Sequence, residues 1–128
     1  MVTIGDLSAD SYVQGFMLAV PTAKREAYAK MAADAWDMFK DYGANGVMEA
    51  WGTDVPHGDV TDFYRGVNAT PDESTVFSIM TWPSREVCQE AARKMMEADM
   101  PADFEMPFDA MRMVWGGFDP VVVLGEKA

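Results

Sequence analysis

Three of the predicted strands carry large apolar side chains on both faces, and this restricts the fold more than any other feature of the chain. In the segment 75–82, Val76, Met80 and Trp82 alternate with Phe77 and Ile79. The segments that begin at 11 and 111 show the same two-sided pattern. An antiparallel sheet that faces water on one side normally carries polar residues on that side. Both faces of this sheet are therefore expected to be covered.

The order of the predicted elements is typical of an α+β sandwich. Strands are predicted over 12–20, 47–53, 61–69, 75–82 and 111–118, and helices over 22–42 and 84–99. Residues 121–124 follow Pro120 and are expected at a sheet edge or after a bulge. Thr22 and Ser84 are the expected helix caps, and Gly43 is the expected left-handed stop of the first helix. The strands over 61–69 and 75–82 form a predicted hairpin. These elements predict an antiparallel sheet of four or five strands with two helices on one face.

The second face of this sheet needs its own cover. No third long helix is predicted, so the simplest cover is the same face of a second copy, related by a two-fold axis. We therefore expect a homodimer. In the alternative, the acidic loop over 99–109 and the segment 1–10 fold over the sheet.

The chain of 128 residues fits a single domain. Residues 1–10 lack periodicity and are predicted to form a flexible arm, followed by one domain over 11–128. The chain begins without the basic and apolar regions of a secretory signal, so a cytoplasmic location is expected. The longest uncharged stretch, 12–23, is too short for a membrane helix and contains Gly15 and Pro21.

Charge and composition exclude several classes of partner. Ten basic and 21 acidic residues give a net charge of −11, which repels phosphate backbones and makes nucleic acid a poor partner. One cysteine and one histidine exclude an internal disulfide and an ordinary structural zinc site. Six of the 12 methionines lie between Met95 and Met113, where they suit irregular apolar packing better than binding of a soft metal. No metal or other cofactor is expected.

Four stretches of the chain resemble a known family. They are 12–16 with 20–21, then 52–56, 82–85 and the segment MPFDAMRMVWGGF over 106–118. They resemble the YbaA-like family of bacterial domains of unknown function, within the dimeric α+β barrel superfamily. The resemblance implies a ferredoxin-like subunit that pairs as a dimeric α+β barrel. The hairpin predicted from the residues is an addition to this subunit. The superfamily includes cofactor-free monooxygenases, haem-degrading enzymes, isomerases and small-ligand sensors, so the resemblance does not choose a reaction.

Aromatic and charged residues indicate a site for a small apolar or aromatic molecule between sheet and helices. Arg112 is the candidate anchor for a carboxylate or phenolate on that molecule. Trp51, Tyr64, Trp82 and Trp115 are the candidate apolar walls. Asp109 lies three residues before Arg112, and a structural ion pair that holds the loop against the sheet is the favoured role for these two residues.

Two further residues have the chemistry of a catalytic group. His57 lies in a loop between Pro56 and Gly58 and is a weak candidate for a general base. Cys88 lies one turn into the second helix, where burial as a small apolar side chain is favoured over reactivity. Gly116 and Gly117 lie in a predicted strand, where glycine marks a bulge or a close backbone approach.

The sequence thus predicts an acidic, cytoplasmic homodimer that binds a small, largely apolar molecule without metal or nucleotide. Two alternatives stay open. The protein could be a cofactor-free oxygenase or isomerase that uses one base, or a non-enzymatic interaction or stress protein that presents an acidic surface.

Overall fold

The computed structural model describes residues 11–97 and 107–124. In these residues, one antiparallel sheet has the strand order β2-β3-β1-β4. The strands are β1 (Tyr12–Pro21), β2 (Gly46–Trp51), β3 (Glu73–Trp82) and β4 (Val114–Phe118), and the helices are α1 (Arg25–Asp41), α2 (Phe63–Gly66) and α3 (Arg85–Glu97). With α1 after β1 and α3 after β3, this order is ferredoxin-like. The predicted α+β class is confirmed.

Strand register shows which side chains share a face of the sheet. Leu18 of β1 is paired with Val76 of β3, and both pack against Tyr28 of α1. Further along β3, Met80 packs in a second cluster with Cys88 of α3. We call the side that carries these two clusters the helical face. Because successive strand residues alternate, the neighbours of these residues point to the opposite side, which we call the open face.

The ends of the two long helices follow local chemistry. Gly43 has a φ of 109° and closes α1, which confirms the expected left-handed stop. The Ser84 hydroxyl accepts a hydrogen bond of 3.2 Å from the backbone N–H of Val87, which confirms the predicted cap of α3. The predicted cap at Thr22 is wrong. Its hydroxyl instead shares a hydrogen bond of 2.8 Å with Ser74, and a 3-10 turn over Thr22–Lys24 precedes α1.

The predicted strand over 61–69 is wrong, and so is the hairpin that depended on it. The Asp62 side chain accepts a hydrogen bond of 2.8 Å from the backbone N–H of Arg65 and caps the short helix α2. This local cap outweighs the strand preference of the aromatic and β-branched residues around it. The sheet of the described residues therefore has four strands.

The last strand is also shorter than predicted. The Asp109 side chain accepts a hydrogen bond of 3.0 Å from the backbone N–H of Met111, which supports a 3-10 turn over Ala110–Arg112. β4 consequently begins at Val114 and not at Met111. Residues 121–124 form no strand, so the expectation that they lie at a sheet edge or after a bulge is wrong.

The open face is apolar, as the two-sided strand pattern predicts. Phe77, Val114 and Phe118 are 41%, 47% and 59% exposed. Part of this face is covered by α2, because a Cβ atom added to Gly66 would lie 3.1 Å from the end of the Met17 side chain. The described chain thus covers the helical face with two long helices and the open face with one short helix and its connections.

Glycines in β1 and β4 allow aromatic rings to lie on the backbone. The ring of Phe118 lies against Gly15 and Gly116 on the open face, and the Tyr12 ring lies directly over Gly117 on the helical face. Of the two roles expected for Gly116 and Gly117, a bulge or a close approach to the backbone, the contacts agree with the close approach. Aromatic cover of this kind restores packing that a strand glycine lacks.

Replacing Gly117 with alanine tests this packing. The added Cβ would overlap the Tyr12 hydroxyl, so we expect Gly117→Ala to lower the free energy of unfolding by about 1–3 kcal/mol. Gly116→Ala is the matched control, because its added Cβ would have an ordinary contact of 3.5 Å with Phe118. Urea unfolding measures the free energy of unfolding of both variants. Equal losses of this free energy would contradict the packing of Tyr12 on Gly117.

Candidate functional site

A pocket of about 120 Å³ lies where β2 and β3 meet the connection that carries α2. Its lining residues are Ala50, Trp51, Gly52, Val55, Phe63, Thr75, Val76 and Phe77. Ala50 and Phe77 are directly paired on the open face, and Phe63 belongs to α2. The pocket is therefore between the sheet and the short helix, whereas the two apolar clusters fill the layer under α1 and α3.

Hydrogen bonds hold the connection against the sheet edge. The backbone N–H of Gly52 donates to the carbonyl of Thr75 at 2.8 Å, and the Tyr64 hydroxyl donates to the carbonyl of Val55 at 2.8 Å. A Cβ atom at Gly52 would lie 2.9 Å from the Thr75 carbonyl oxygen. Glycine at this position therefore lets the chain leave β2 and turn close to β3.

His57 lies on this same connection. Its ring stacks on Tyr64 with centroids 4.4 Å apart, and its Nδ1 atom is 3.6 Å from a carboxylate oxygen of Asp62. Hydrogen bonds from the backbone N–H groups of Arg65 and Gly58 lower the pKa of Asp62, with opposition from burial. An ionised carboxylate that faces an imidazole is an arrangement found in acid–base pairs. The His57 side chain is 79% exposed, and its role as a base stays a prediction.

A polar cluster that the sequence reasoning missed lies on the helical face. The Tyr28 hydroxyl donates to one carboxylate oxygen of Glu49 at 2.6 Å, and the Ser78 hydroxyl donates to the other at 3.0 Å. Tyr28 and Ser78 are buried, whereas part of Glu49 is exposed at the edge strand β2. A glutamate between Val47 and Trp51 in the alternation of this strand could have indicated the cluster.

Burial dominates the electrostatics of this cluster. Desolvation raises the pKa of Glu49, and the hydrogen bonds from Tyr28 and Ser78 partly oppose this effect. Desolvation, followed by the charge of Glu49, raises the pKa of Tyr28 far above its usual value. Tyr28 therefore stays protonated and acts as a hydrogen-bond donor to the carboxylate.

Arg112 is engaged in an ion-pair network. Its guanidinium forms two hydrogen bonds of 2.8 and 2.7 Å with Glu73, one of 3.1 Å with Asp109 and one of 2.6 Å with the carbonyl of Asn68. The contact between Asp109 and Arg112 agrees with the structural pair favoured from the sequence. These bonds tie the segment before β4 to the start of β3 and use four of the five donors of the guanidinium.

The six predicted ligand-binding residues lie in different surroundings. Trp82 is fully buried and donates to the Gln14 side chain at 2.9 Å, whereas Trp115 is 65% exposed on β4. Trp51 borders the pocket and lies 6.4 Å from Tyr28, centroid to centroid. Tyr64 supports the connection, and Arg112 pairs with Asp109. The structure does not bring these six residues together around one cavity of the described chain.

Cys88 is buried between α3 and the sheet, and burial raises the pKa of its thiol. The predicted burial of Cys88 is confirmed, and its lack of reactivity stays a prediction. Within 11–97 and 107–124, no three His, Cys, Asp or Glu side chains are grouped as metal ligands. No described helix has the length and apolar character needed to cross a bilayer. The predicted arm over 1–10 and residues 99–106 of the acidic loop lie outside the described residues.

The ion pair of Glu73 generates a prediction about pH. The Arg112 guanidinium lowers the pKa of Glu73 from 4.5 to about 2, so the pair stabilises the fold above pH 4.5 and this stabilisation is lost as the pH falls toward 2. We expect Glu73→Gln to lower the free energy of unfolding by roughly 1 to 2 kcal/mol at pH 7, with a difference from the wild type that narrows between pH 4.5 and 2.

Chemical denaturation at several pH values measures this difference. Glu90→Gln is the control, because Glu90 pairs with Arg93 on the exposed side of α3, where an ion pair contributes little. A constant difference between Glu73→Gln and the wild type from pH 7 to 2 would refute the role of this ion pair.

Comparison with known proteins places the chain in a family. Residues 11–110 match the model of a family described as "Protein of unknown function (DUF1428)". The chain is 46% identical over 113 residues to "Uncharacterized protein YbaA" of Escherichia coli strain K12, and this match covers 87% of the chain and 97% of the relative. The protein of the same name from Shigella flexneri gives the same values. The chain therefore belongs to the DUF1428 family of proteins of unknown function, as the resemblance of its motifs predicted.

Proposed function

We propose that this protein binds a small, largely apolar molecule in the pocket between the open face and α2. The observation that carries the proposal is the lining of this pocket, in which Thr75 is joined by seven residues without polar side-chain groups other than the indole N–H of Trp51. Binding pockets for small molecules are typically apolar, with a few polar groups that fix orientation. The Thr75 hydroxyl and the Trp51 indole N–H are the polar side-chain groups of this lining.

The size of the pocket limits the size of its ligand. An engineered apolar cavity of about 150 Å³ in another protein stays dry and binds benzene. The pocket of about 120 Å³ is of similar size, so it suits a single aromatic ring or a short branched chain. Phe63 and Phe77 line the pocket and favour an aromatic ligand, because aromatic pairs gain energy beyond the area that they bury.

Filling the pocket with a side chain tests this proposal. We expect the wild type to bind benzene, detected by saturation-transfer NMR, and Ala50→Leu to lose at least about nine-tenths of the affinity because the leucine occupies the pocket. Ala27→Leu on the exposed side of α1 is the matched control. Absence of benzene binding to the wild type, or equal binding to Ala50→Leu, would overturn the proposed site.

We also propose that the open face pairs with the open face of a second copy. The face bears apolar residues such as Phe77, Ile79 and Val114, whereas the chain as a whole carries a charge of −11. Two copies of so acidic a chain repel each other unless they meet through an uncharged surface. A face that meets itself across a two-fold axis needs only to be complementary to itself, which a flat apolar surface satisfies.

A charged substitution on the open face tests the pairing without altering the pocket. Val114 lies on β4, away from the pocket, and we expect Val114→Asp to convert a dimer into single chains of 14.2 kDa in sedimentation velocity. Val60→Asp adds the same charge at a position that is 91% exposed and should leave the dimer intact. A wild type that sediments as single chains at micromolar concentration would refute the pairing but not the pocket.

A further inference from the structure

Glu49 is a carboxylate at the exposed edge of the helical face, and it has no basic partner among the described residues. Its two oxygens accept hydrogen bonds from Tyr28 and Ser78, whose side chains are buried between β3 and α1. In the part of the chain that the structure describes, no Lys or Arg nitrogen lies within 4.0 Å of this carboxylate. The two hydroxyl groups thus orient the carboxylate, and no Lys or Arg side chain of the described residues pairs with it.

Glu73, another glutamate whose carboxylate accepts side-chain hydrogen bonds, shows the contrast. Glu73, with a side chain 8% exposed, is neutralised by two hydrogen bonds from the Arg112 guanidinium. Enclosed carboxylates are normally paired in this way, because an unpaired buried charge is costly. Two hydroxyl donors orient Glu49 but bring no positive charge, and a carboxylate has lone pairs for two further donors.

The side chain next to Glu49 on the helical face is suited to a cation. Trp51 lies two residues along β2, so its side chain points to the same side of the sheet. The guanidinium of Arg25 lies over the Trp51 ring, 5.6 Å from its centroid, which shows that a cation is accommodated at this indole. Glu49 is open to solvent at the edge of the sheet, so a ligand can approach from outside.

We propose that Glu49, oriented by Tyr28 and Ser78, binds the ammonium group of a small organic amine whose apolar part lies against Trp51. The ammonium supplies the positive charge that the cluster lacks and donates to the free lone pairs of the carboxylate. The charge of −11 concentrates such cations near the protein surface. This site lies on the helical face and is distinct from the pocket on the open face, although Trp51 borders both.

The experiment compares benzylammonium with benzyl alcohol, which has the same ring but no charge. Dissociation constants for both are measured by NMR titration at pH 7. We expect the wild type to bind benzylammonium about tenfold more tightly than benzyl alcohol, as one charge-assisted hydrogen bond predicts. In Glu49→Gln, which preserves size and can accept from Tyr28, this ratio should fall to about one.

Glu86→Gln on α3 is the matched control. It removes the same unit of charge at an exposed position and should keep the tenfold ratio. This result would exclude the net negative charge of the protein as the cause of the preference for benzylammonium. A wild type without preference for benzylammonium, or a ratio unchanged in Glu49→Gln, would overturn the amine site. A merely structural role of the Tyr28–Glu49 contact would lower the stability of Glu49→Gln and leave the ratio as it is. A ratio that falls in Glu49→Gln but not in Glu86→Gln cannot come from binding of the ring in the other pocket, because Glu49 does not line that pocket.

Discussion

The pairing of β1 with β3 is the interaction on which the rest of the structure depends. The two strands are in register over ten residues, from Tyr12 opposite Trp82 to Pro21 opposite Glu73. Both strands are central in the sheet, and both carry apolar side chains in each direction. A central pair of this kind needs cover on two sides. Helices α1 and α3 cover the helical face, and the short connection with α2 covers part of the open face. Apolar side chains are therefore buried on the helical face, whereas several stay exposed on the open face.

The carboxylates of Glu73 and Glu49 have different surroundings, one within an ion pair and the other at the sheet edge. Glu73 lies at the start of β3 and closes a network with Arg112, which joins segments 39 residues apart in the chain. Glu49 lies on the edge strand, where its backbone is ordered by β3 and its carboxylate by Tyr28 and Ser78. The first carboxylate is neutralised within the chain, and the second is left with unused acceptors at the sheet edge. This difference, rather than burial alone, separates a residue that supports the fold from one that is available to a ligand.

The periodicity of the sequence predicted the strands, helix ends and caps that depend on residues close together in the chain. The strand over 12–20, the helix that ends before Gly43 and the cap at Ser84 follow from side-chain spacing and local hydrogen bonds. The contact of Asp109 with Arg112 was also predictable, since three residues separate them. The bidentate partner of Arg112, Glu73, was not, because nothing local relates the two. The strand predicted over 61–69 is wrong because the side chain of Asp62 caps a helical turn there. The alternation of apolar residues gives no information about such a side-chain hydrogen bond.

The pocket could not be predicted for the same reason. It exists because the chain turns at Gly52, returns over the open face and places Phe63 opposite Ala50 and Phe77. None of these distances follows from spacing along the chain. Phe77 also belongs to the exposed part of the open face, so in the proposed dimer one side chain contacts both the ligand and the second copy. Ligand binding and dimer formation would then be coupled. Each would change the equilibrium constant of the other by the same factor.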